Sequence, residues 1–368
     1  EQLWGDFKDQ DGLFNGSYSG DYSMQNPYWI AYRNVRDMNR ERNMLSLSLS
    51  YDLKSWSASE KWDIGVRGRT DNVHYKGTDK RYASTLALLD MSKNGHFGLS
   101  EGAEKQNYFD ILTNLRRNFS LNNLGELSLT ANLGASLQDS RTDGSFIHGP
   151  LRSNGIPNVF NTFNIDQDAK KTLAGQAGWI EQVQSVFGSM EVGYNNYLFL
   201  TITGRNEWPS QLTNSPKASF FYPSVGLSSV ITDMLSPDTK AKVTPILSFL
   251  KARVAFSSVA SPFERWLTMP TYSFDADNKV WKSVSYFPIG TLFPERTNSY
   301  EGGFSSKWFR RKVSLDFTVY RTNTYNQTIR ADISPSTGYD AVFFQTGNVQ
   351  NTGFELGLGY NLLTQGDF

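Results

Sequence analysis

A run of strictly alternating residues towards the carboxyl-terminal end places the strongest constraint on the fold. Between Lys312 and Arg321 every second residue is apolar. The apolar members are Val313, Leu315, Phe317 and Val319, and the polar members between them are Ser314, Asp316, Thr318 and Tyr320. Successive side chains of a strand point to opposite faces, so the run predicts a β-strand with one apolar face and one polar face.

The same period of two recurs along the whole chain, and only a short segment after Thr232 is compatible with one helical turn. The other alternating segments are residues 44–51, 62–69, 108–119, 126–137, 180–194, 197–206, 220–231, 249–258, 300–309 and 349–360. Together these segments predict roughly twelve strands and no helix of useful length.

Short and long connections alternate between these strands. The short ones are predicted at residues 54–61, 121–125, 195–196, 232–247 and 310–311, and the long ones at 70–105, 138–177, 259–296 and 326–346. Antiparallel strands would place all short connections at one end of a sheet. Short turns at one end and long loops at the other are typical of transmembrane barrels, whereas a soluble sandwich has turns at regular close spacing. The pattern therefore predicts an all-β, antiparallel transmembrane barrel with long extracellular loops.

Composition excludes several other classes of protein. The chain has 36 basic and 36 acidic residues, so it lacks the basic excess of a nucleic-acid binder. It has no cysteine, which rules out disulfides and thiolate chemistry within it. Aromatic residues make up 14% of the chain, and no apolar run approaches the ~18 residues of a membrane-spanning helix.

Several patches of sequence resemble one family, the SusC/RagA-like TonB-dependent transporters of Bacteroidetes outer membranes. The patches are Asn26-Pro27-Tyr28-Trp29, residues 39–42, residues 197–208 (YLFLTITGRNEW), residues 221–226 (FYPSVG), residues 250–254 (LKARV), residues 294–297 (PERT) and residues 348–356 (NVQNTGFEL). They cover nearly the whole chain in the order found in the family.

The resemblance implies how the chain is organised. Barrels of this class have ~22 strands around a plugged lumen, so residues 1–368 are expected to form about half of one barrel domain. We expect the plug domain with its TonB box, the first strands and the last strands to lie outside this chain. Half a barrel leaves two unpaired sheet edges, which cannot be exposed to lipid.

The resemblance also implies function and partners. The expected role is the barrel wall of an active importer of oligosaccharides or peptides in the outer membrane. A SusD-like lipoprotein would close as a lid over the extracellular loops, and a TonB complex would act through the plug. Outer-membrane lipid surrounds such a barrel, and a dimer of transporter–lid pairs is a further expectation. We expect no nucleic-acid partner, cofactor or enzymatic activity.

Two other classes remain open from the residues alone. One is a passive porin or adhesin-type barrel without TonB coupling, and the other is a soluble secreted β-rich protein such as a glycan-binding module. Catalytic motifs are missing, and the three histidines, His74, His96 and His148, fall in or beside polar segments. The segment around Asp9 lacks the ligand spacing of a calcium loop, so no metal site is predicted.

Three groups of candidate functional residues follow from this interpretation. Lumen-facing candidates are Arg67, Arg69, Arg205, Lys251 and Arg253, because an arginine or lysine facing the bilayer midplane costs about 2–4 kcal/mol. Candidates for an interfacial aromatic girdle are Trp29, Trp62, Trp208 and Trp308. Loop aromatics that could face the ligand or the lid are Tyr18, Tyr22, Trp281, Tyr286, Tyr339 and Phe343. The basic cluster Arg310-Arg311-Lys312 is interpreted as a solvated turn at the periplasmic rim.

Overall fold

Long antiparallel strands account for most of the computed structural model, which describes residues 31–83, 94–122, 125–169, 171–268, 272–275, 279–287 and 292–361. The strands are β1 (Asn34–Ser55), β2 (Lys61–Arg81), β3 (His96–Ser120), β4 (Glu126–Pro150), β5 (Leu173–Tyr194), β6 (Leu198–Pro209), β7 (Phe220–Val230), β8 (Leu247–Ser261), β9 (Ser273–Asp275), β10 (Val280–Lys282), β11 (Tyr286–Phe287), β12 (Glu295–Trp308), β13 (Val313–Asp332) and β14 (Ala341–Tyr360). One α-helix, α1 (Pro237–Val243), and short 3-10 turns complete the described elements.

Neighbouring strands in the chain are also neighbours in the main sheet. Its order is β1 to β8, then β12, β13, β14 and finally the two-residue β11, which pairs in parallel with β14. All other pairs in this sheet are antiparallel, and β9 and β10 form a separate hairpin. Within the described residues the sheet does not close, because β1 pairs only with β2. The predicted antiparallel β-architecture is confirmed as an open, partial barrel wall.

The predicted short connections all lie at one end of this sheet. Asn195 and Asn196 connect β5 to β6 with φ values of 48° and 57°, the left-handed conformation that a tight hairpin turn requires and asparagine tolerates. The connection between β12 and β13 has positive φ at Phe309, Arg310 and Arg311. Helix α1 occupies the connection between β7 and β8, where the sequence suggested one helical turn.

The opposite end of the sheet corrects the sequence-based boundaries. The segments predicted as long loops at 70–105, 138–177 and 326–346 begin and end in strand, because β2, β3, β4, β5, β13 and β14 continue into them. β3 and β4 each contain 25 residues, whereas about 9–11 residues suffice to cross a bilayer. The strands therefore extend far beyond the part that the alternation identified. The segment 259–296 is a loop for most of its length, with β9, β10 and β11 inside it.

The apolar residues of the sheet share one face. Register places Leu49 opposite Val66, Val66 opposite Ile111, and Ile111 opposite Ala135. The same face continues through the row Val254, Gly302, Val319 and Phe354. No other described sheet covers this face, and Phe354 is 72% exposed. A soluble sandwich would bury these side chains between two layers, so the single layer contradicts that class of fold.

Described helices are all too short to serve as apolar membrane spans. Most buried apolar residues lie instead under the long connections. One cluster joins Leu212 and Phe220 to the loop between β8 and β12, with Phe263, Leu267 and Leu292 at its centre. A second, smaller cluster of Phe97, Leu151 and Ile165 lies at the far ends of β3 and β4.

Candidate functional site

The face opposite the apolar band is polar, and its arginines are paired with acids on neighbouring strands. Arg67 on β2 lies directly opposite Asp110 on β3. Its Nε and Nη2 atoms donate to Asp110 Oδ2 at 2.8 and 2.6 Å. Asp110 is only 6% exposed, so this pair replaces the water that the carboxylate would otherwise need.

A second paired arginine stands at the other side of the sheet. Arg253 on β8 donates from Nη2 to Thr318 Oγ1 at 2.6 Å and to Asp316 Oδ1 at 3.2 Å. Its Nη1 donates to Ser305 Oγ at 3.0 Å, and Glu301 lies 3.5 Å from its Nε. The guanidinium thus bridges β8, β12 and β13, which fixes its position on the polar face.

A cavity of about 370 Å³ opens on this polar face around Arg205. Arg205 Nε donates to Glu207 Oε1 at 2.6 Å, and Tyr222 Oη donates to Glu207 Oε2 at 2.5 Å. Phe187 lies under the guanidinium with its ring centre 5.3 Å away. Polar donors and an aromatic ring around one depression can contact a peptide or sugar by hydrogen bonding and stacking.

All five lumen-facing candidates lie on this polar face. Arg69 is opposite Tyr108, and its guanidinium carbon is 5.8 Å from the centre of that ring. Lys251 is opposite Ser305. The register brings Arg67 and Arg69 together on β2, and Lys251 and Arg253 together on β8, whereas Arg205 stands apart on β6. That the face borders a lumen stays a prediction.

Three tryptophans predicted for an interfacial girdle lie on the apolar face. Trp62 and Trp308 stand at the short-turn ends of β2 and β12, and Trp208 stands at the opposite end of β6. Trp62 Nε1 donates to Thr113 Oγ1 at 2.8 Å and Trp308 Nε1 donates to Ser306 Oγ at 2.9 Å. These positions fit an aromatic residue at each margin of the band, and the girdle role stays a prediction. Trp29 lies outside the described residues.

The loop aromatics predicted to face a ligand divide into packed and exposed ones. Tyr286 and Phe343 stack edge to face at 5.3 Å and pack on the loop cluster. Tyr339 makes a similar contact with Phe287 at 5.4 Å, and Trp281 is 71% exposed. Tyr18 and Tyr22 lie outside the described residues. Trp281 also contacts Phe274, with the ring centres 5.3 Å apart. The ligand-contacting role of this group stays a prediction.

Histidines and acids form no metal site among the described residues. The rings of His96 and His148 lie 6.1 Å apart at the far ends of β3 and β4, beyond the apolar band. Burial, together with the positive charge of Arg81, lowers the pKa of His96 to about 4. This imidazole is therefore neutral at physiological pH.

Sequence reasoning missed the acidic partners Asp110, Asp316 and Glu207. The alternation that placed Arg67 on the polar face places Asp110 there too, but only the strand register shows that the two side chains meet. The loop cluster around Leu292 was also missed, because its members come from connections without periodicity.

Comparisons with known proteins agree on one family. A family model described as "TonB dependent receptor-like, beta-barrel" matches residues 3–368. The TonB-dependent receptor P26 of Formosa agariphila is 21% identical over 354 residues, which is 94% of this chain and 34% of that protein. The chain thus spans about a third of the length of this curated relative.

Solved structures show the same fold. The RagAB peptide importer in its open-open state matches 97% of this chain and 38% of its own chain, with a TM-score of 0.70 at 15% identity. Its closed-closed state gives a TM-score of 0.70 at 16% identity, over 98% of this chain and 38% of its own. The ferric-catecholate receptor Fiu of E. coli K12 is more distant, with a TM-score of 0.54 at 10% identity, over 94% of this chain and 48% of its own.

Proposed function

The chain belongs to the family of TonB-dependent receptor-like β-barrels, and we propose that it forms part of the wall of an active importer for oligosaccharides or peptides. The family and the fold place it in the bacterial outer membrane. The observation that carries the proposal is the single-layered sheet, which has a continuous apolar face and an opposite face of hydrogen-bonded charges. The apolar face contacts lipid, and the polar face borders the path of the ligand.

The proposed cargo class rests on the polar face and on the fold. Peptides and oligosaccharides both present many hydrogen-bonding groups along their length. The polar face offers amides, hydroxyls and arginines whose charge is already neutralised by acids. Such a surface binds polar ligands weakly along their length, which suits passage rather than retention. The similar fold of the RagAB peptide importer supports the same class.

We propose that the partners follow from the same architecture. A surface lipoprotein of the SusD type would cover the long-connection end, and a TonB complex would act through a plug domain carried outside residues 1–368. Dimers of such transporter–lid pairs belong to the same proposal. The proposed role involves no covalent chemistry, cofactor or nucleic acid.

Thiol labelling tests the orientation of the wall. Because this chain lacks cysteine, single cysteines introduced into the full-length protein, with any other cysteine replaced, report their own surroundings. Ala255→Cys on the polar face should react with a charged, membrane-impermeant maleimide, whereas Val254→Cys on the apolar face should react only with a lipid-soluble one. Equal reaction of both cysteines with the charged reagent would refute the proposed wall.

Uptake measurements test active import. Cells that carry the full-length protein should accumulate labelled oligopeptides or oligosaccharides, and deletion of TonB should abolish accumulation while surface binding persists. Uptake that continues without TonB would favour the passive porin. Purification from native membranes should also recover a lipoprotein in a 1:1 ratio, which is the stoichiometry that a dedicated lid requires.

A further inference from the structure

A cavity of about 290 Å³ opens on the outward, apolar-face side of the sheet, where β7 and β8 separate. β7 pairs with β8 from Ser224 to Val230 only, so the first four residues of β7 and the end of β8 leave a cleft between them. Asn206 and Phe221 are opposite each other on β6 and β7, on the same face as Ile202. Arg296 on β12 shares that face with Tyr300, because the residues alternate without a bulge between them.

The height of the cavity matches the headgroup layer of the membrane. Tyr300 lies at the margin of the apolar face away from the short turns. Arg296 lies four residues beyond Tyr300, which corresponds to about 10 Å above it for a strand tilted by about 40°. Long connections leave a barrel on the extracellular side. The cavity therefore faces the headgroups of the outer leaflet.

Two positive charges and no described carboxylate line the cavity. Lys217 is exposed, and Arg296 is held by neutral groups: its Nη1 donates to Ser258 Oγ at 2.8 Å and its Nη2 to the carbonyl of Phe221 at 3.3 Å. Within the described part of the chain no carboxylate lies within ion-pair distance of either group. The guanidinium is thus oriented but not neutralised, as an anion-binding arginine needs to be.

Several other cations of the described sheet are paired with acids. On the outward face farther from the membrane, Lys76 pairs with Glu101 at 2.6 Å and Arg141 with Asp143 at 2.6 Å. On the polar face Arg67 pairs with Asp110. Arg321, opposite Tyr300 at the margin of the apolar face, also faces outward and donates to the neutral amides of Asn323 and Gln350. Among the described residues, Arg296 therefore lacks the carboxylate partner that Lys76, Arg141 and Arg67 have.

We propose that this cavity is a binding site for the phosphorylated headgroup of an outer-leaflet lipid. Arg296 and Lys217 contact the phosphate, and the amide of Asn206 contacts polar groups beside it. Phe221 and Phe293, which are 50% and 36% exposed, contact the apolar part of the same lipid. A lipid bound at this site would fill the cleft between β7 and β8 and contact both strands.

Lipid titration of the intact protein tests this site. The full-length protein in phosphatidylcholine nanodiscs is titrated with fluorescent monophosphoryl lipid A and with its dephosphorylated form. Wild type should prefer the phosphorylated lipid. Lys217→Gln should raise its dissociation constant about fivefold, and Arg296→Gln with Lys217→Gln about 20-fold or more, because each basic side chain near a headgroup contributes ~1 kcal/mol. Arg311→Gln, at the opposite end of the sheet, is the matched control and should change nothing.

Three results would contradict the proposal. Equal affinity of wild type for the two lipids, or an unchanged dissociation constant in Lys217→Gln, refutes the phosphate contact. Lys217 is exposed and makes no side-chain contact that folding needs, so its substitution leaves the barrel intact even if Arg296→Gln does not. Displacement of the labelled lipid by millimolar inorganic phosphate would assign the site to the free ion and overturn the lipid assignment.

Discussion

At the scale of single residues, the Arg67–Asp110 pair on the polar face contains an acid that is more buried than its basic partner. Asp110 is 6% exposed, whereas the side chain of Arg67 keeps 55% of its exposure. A buried carboxylate needs its donors more than an exposed guanidinium needs its acceptor. In this pair the burial of Asp110 therefore determines how much the interaction contributes to stability.

Substitution of Asp110 tests this asymmetry. Asp110→Asn removes the charge-assisted bonds to Arg67, and we expect it to lower the free energy of unfolding by about 1–2 kcal/mol, at the lower end for a charged pair because Arg67 is half exposed. Urea unfolding of the full-length protein in detergent measures the change. Asp168→Asn in an exposed turn is the control. A loss no larger than that of the control would show that the pair contributes nothing.

His96 gives the extracellular end a dependence on pH. Its pKa is about 4 in the folded protein and about 6.5 when unfolded, so the unfolded state binds more protons between these values. The free energy of unfolding of this end should therefore be highest above pH 6.5, where His96 is neutral in both states. It should fall as the pH drops towards 4. Arg81 and His148 disfavour a charge there, and Asp79 favours it.

Hydrogen exchange measures this pH effect. Protection factors of the β3 and β4 amides nearest His96, corrected for intrinsic exchange, should fall between pH 7 and pH 5 in wild type. The decrease should be smaller in His96→Gln, while His74→Gln, an exposed site, should behave as wild type. Identical decreases in wild type and His96→Gln would assign the effect to other groups.

At the scale of elements, the longest strands, such as β2 and β3, have a lipid-facing part and an extension beyond it. The lipid-facing part of β8 has exposed Val254 on one face and exposed Ala255 on the other. In the extensions of β2 and β3 both faces carry polar residues, such as His74 and Lys76 on one face and Asp71 and Asp79 on the other. The difference reflects the surroundings, since lipid demands one apolar face and water demands none.

Charge insertion at neighbouring positions of β8 tests which face meets lipid. Val254→Arg should destabilise the barrel by more than about 1 kcal/mol, because arginine costs about 2–4 kcal/mol at the bilayer midplane and about 0–1 kcal/mol near the interface, and Val254 lies between these levels. Ala255→Arg, one residue away on the polar face, should cost less than about 1 kcal/mol. Urea-induced unfolding in phospholipid vesicles gives both values. Equal costs for the two variants would mean that the faces do not differ in their contact with lipid.

The same division explains how far the sequence could predict the structure. Strands such as β13 were identified because alternation of Leu315, Asp316 and Phe317 records the contrast between lipid and water. The extensions were taken for loops because their residues contact water on both sides and leave no period of two. The Arg67–Asp110 pair was beyond sequence reasoning, since it depends on the register between two strands rather than on local pattern.

At the scale of the whole molecule, the described sheet has an unpaired edge at β1. The β1 side that faces away from β2 has no partner strand in the described residues. Unpaired backbone groups at the depth of the lipid cost several kcal/mol each. We therefore expect the residues 44–51 of β1 to pair with a further strand of the full-length barrel.

Exchange of backbone amides tests this closure. In the full-length protein in lipid, every amide of residues 44–51 should exchange slowly, whether or not it points towards β2. Those that point away should exchange quickly if β1 remains a free edge, because open backbone groups are unprotected. The amides of β4, which has strands on both sides, serve as the internal reference for full protection.

The 25-residue strands β3 and β4 have a consequence for what a cell presents to its surroundings. Each is about 80 Å long when extended, and little more than a third of that length is needed inside the bilayer. Much of the remainder extends above the membrane as hydrogen-bonded β-sheet. Proteases cleave such backbone poorly, and antibodies bind it as a rigid epitope. A bacteriophage or immune receptor that approaches this part of the cell would therefore bind a rigid, extended β-sheet surface.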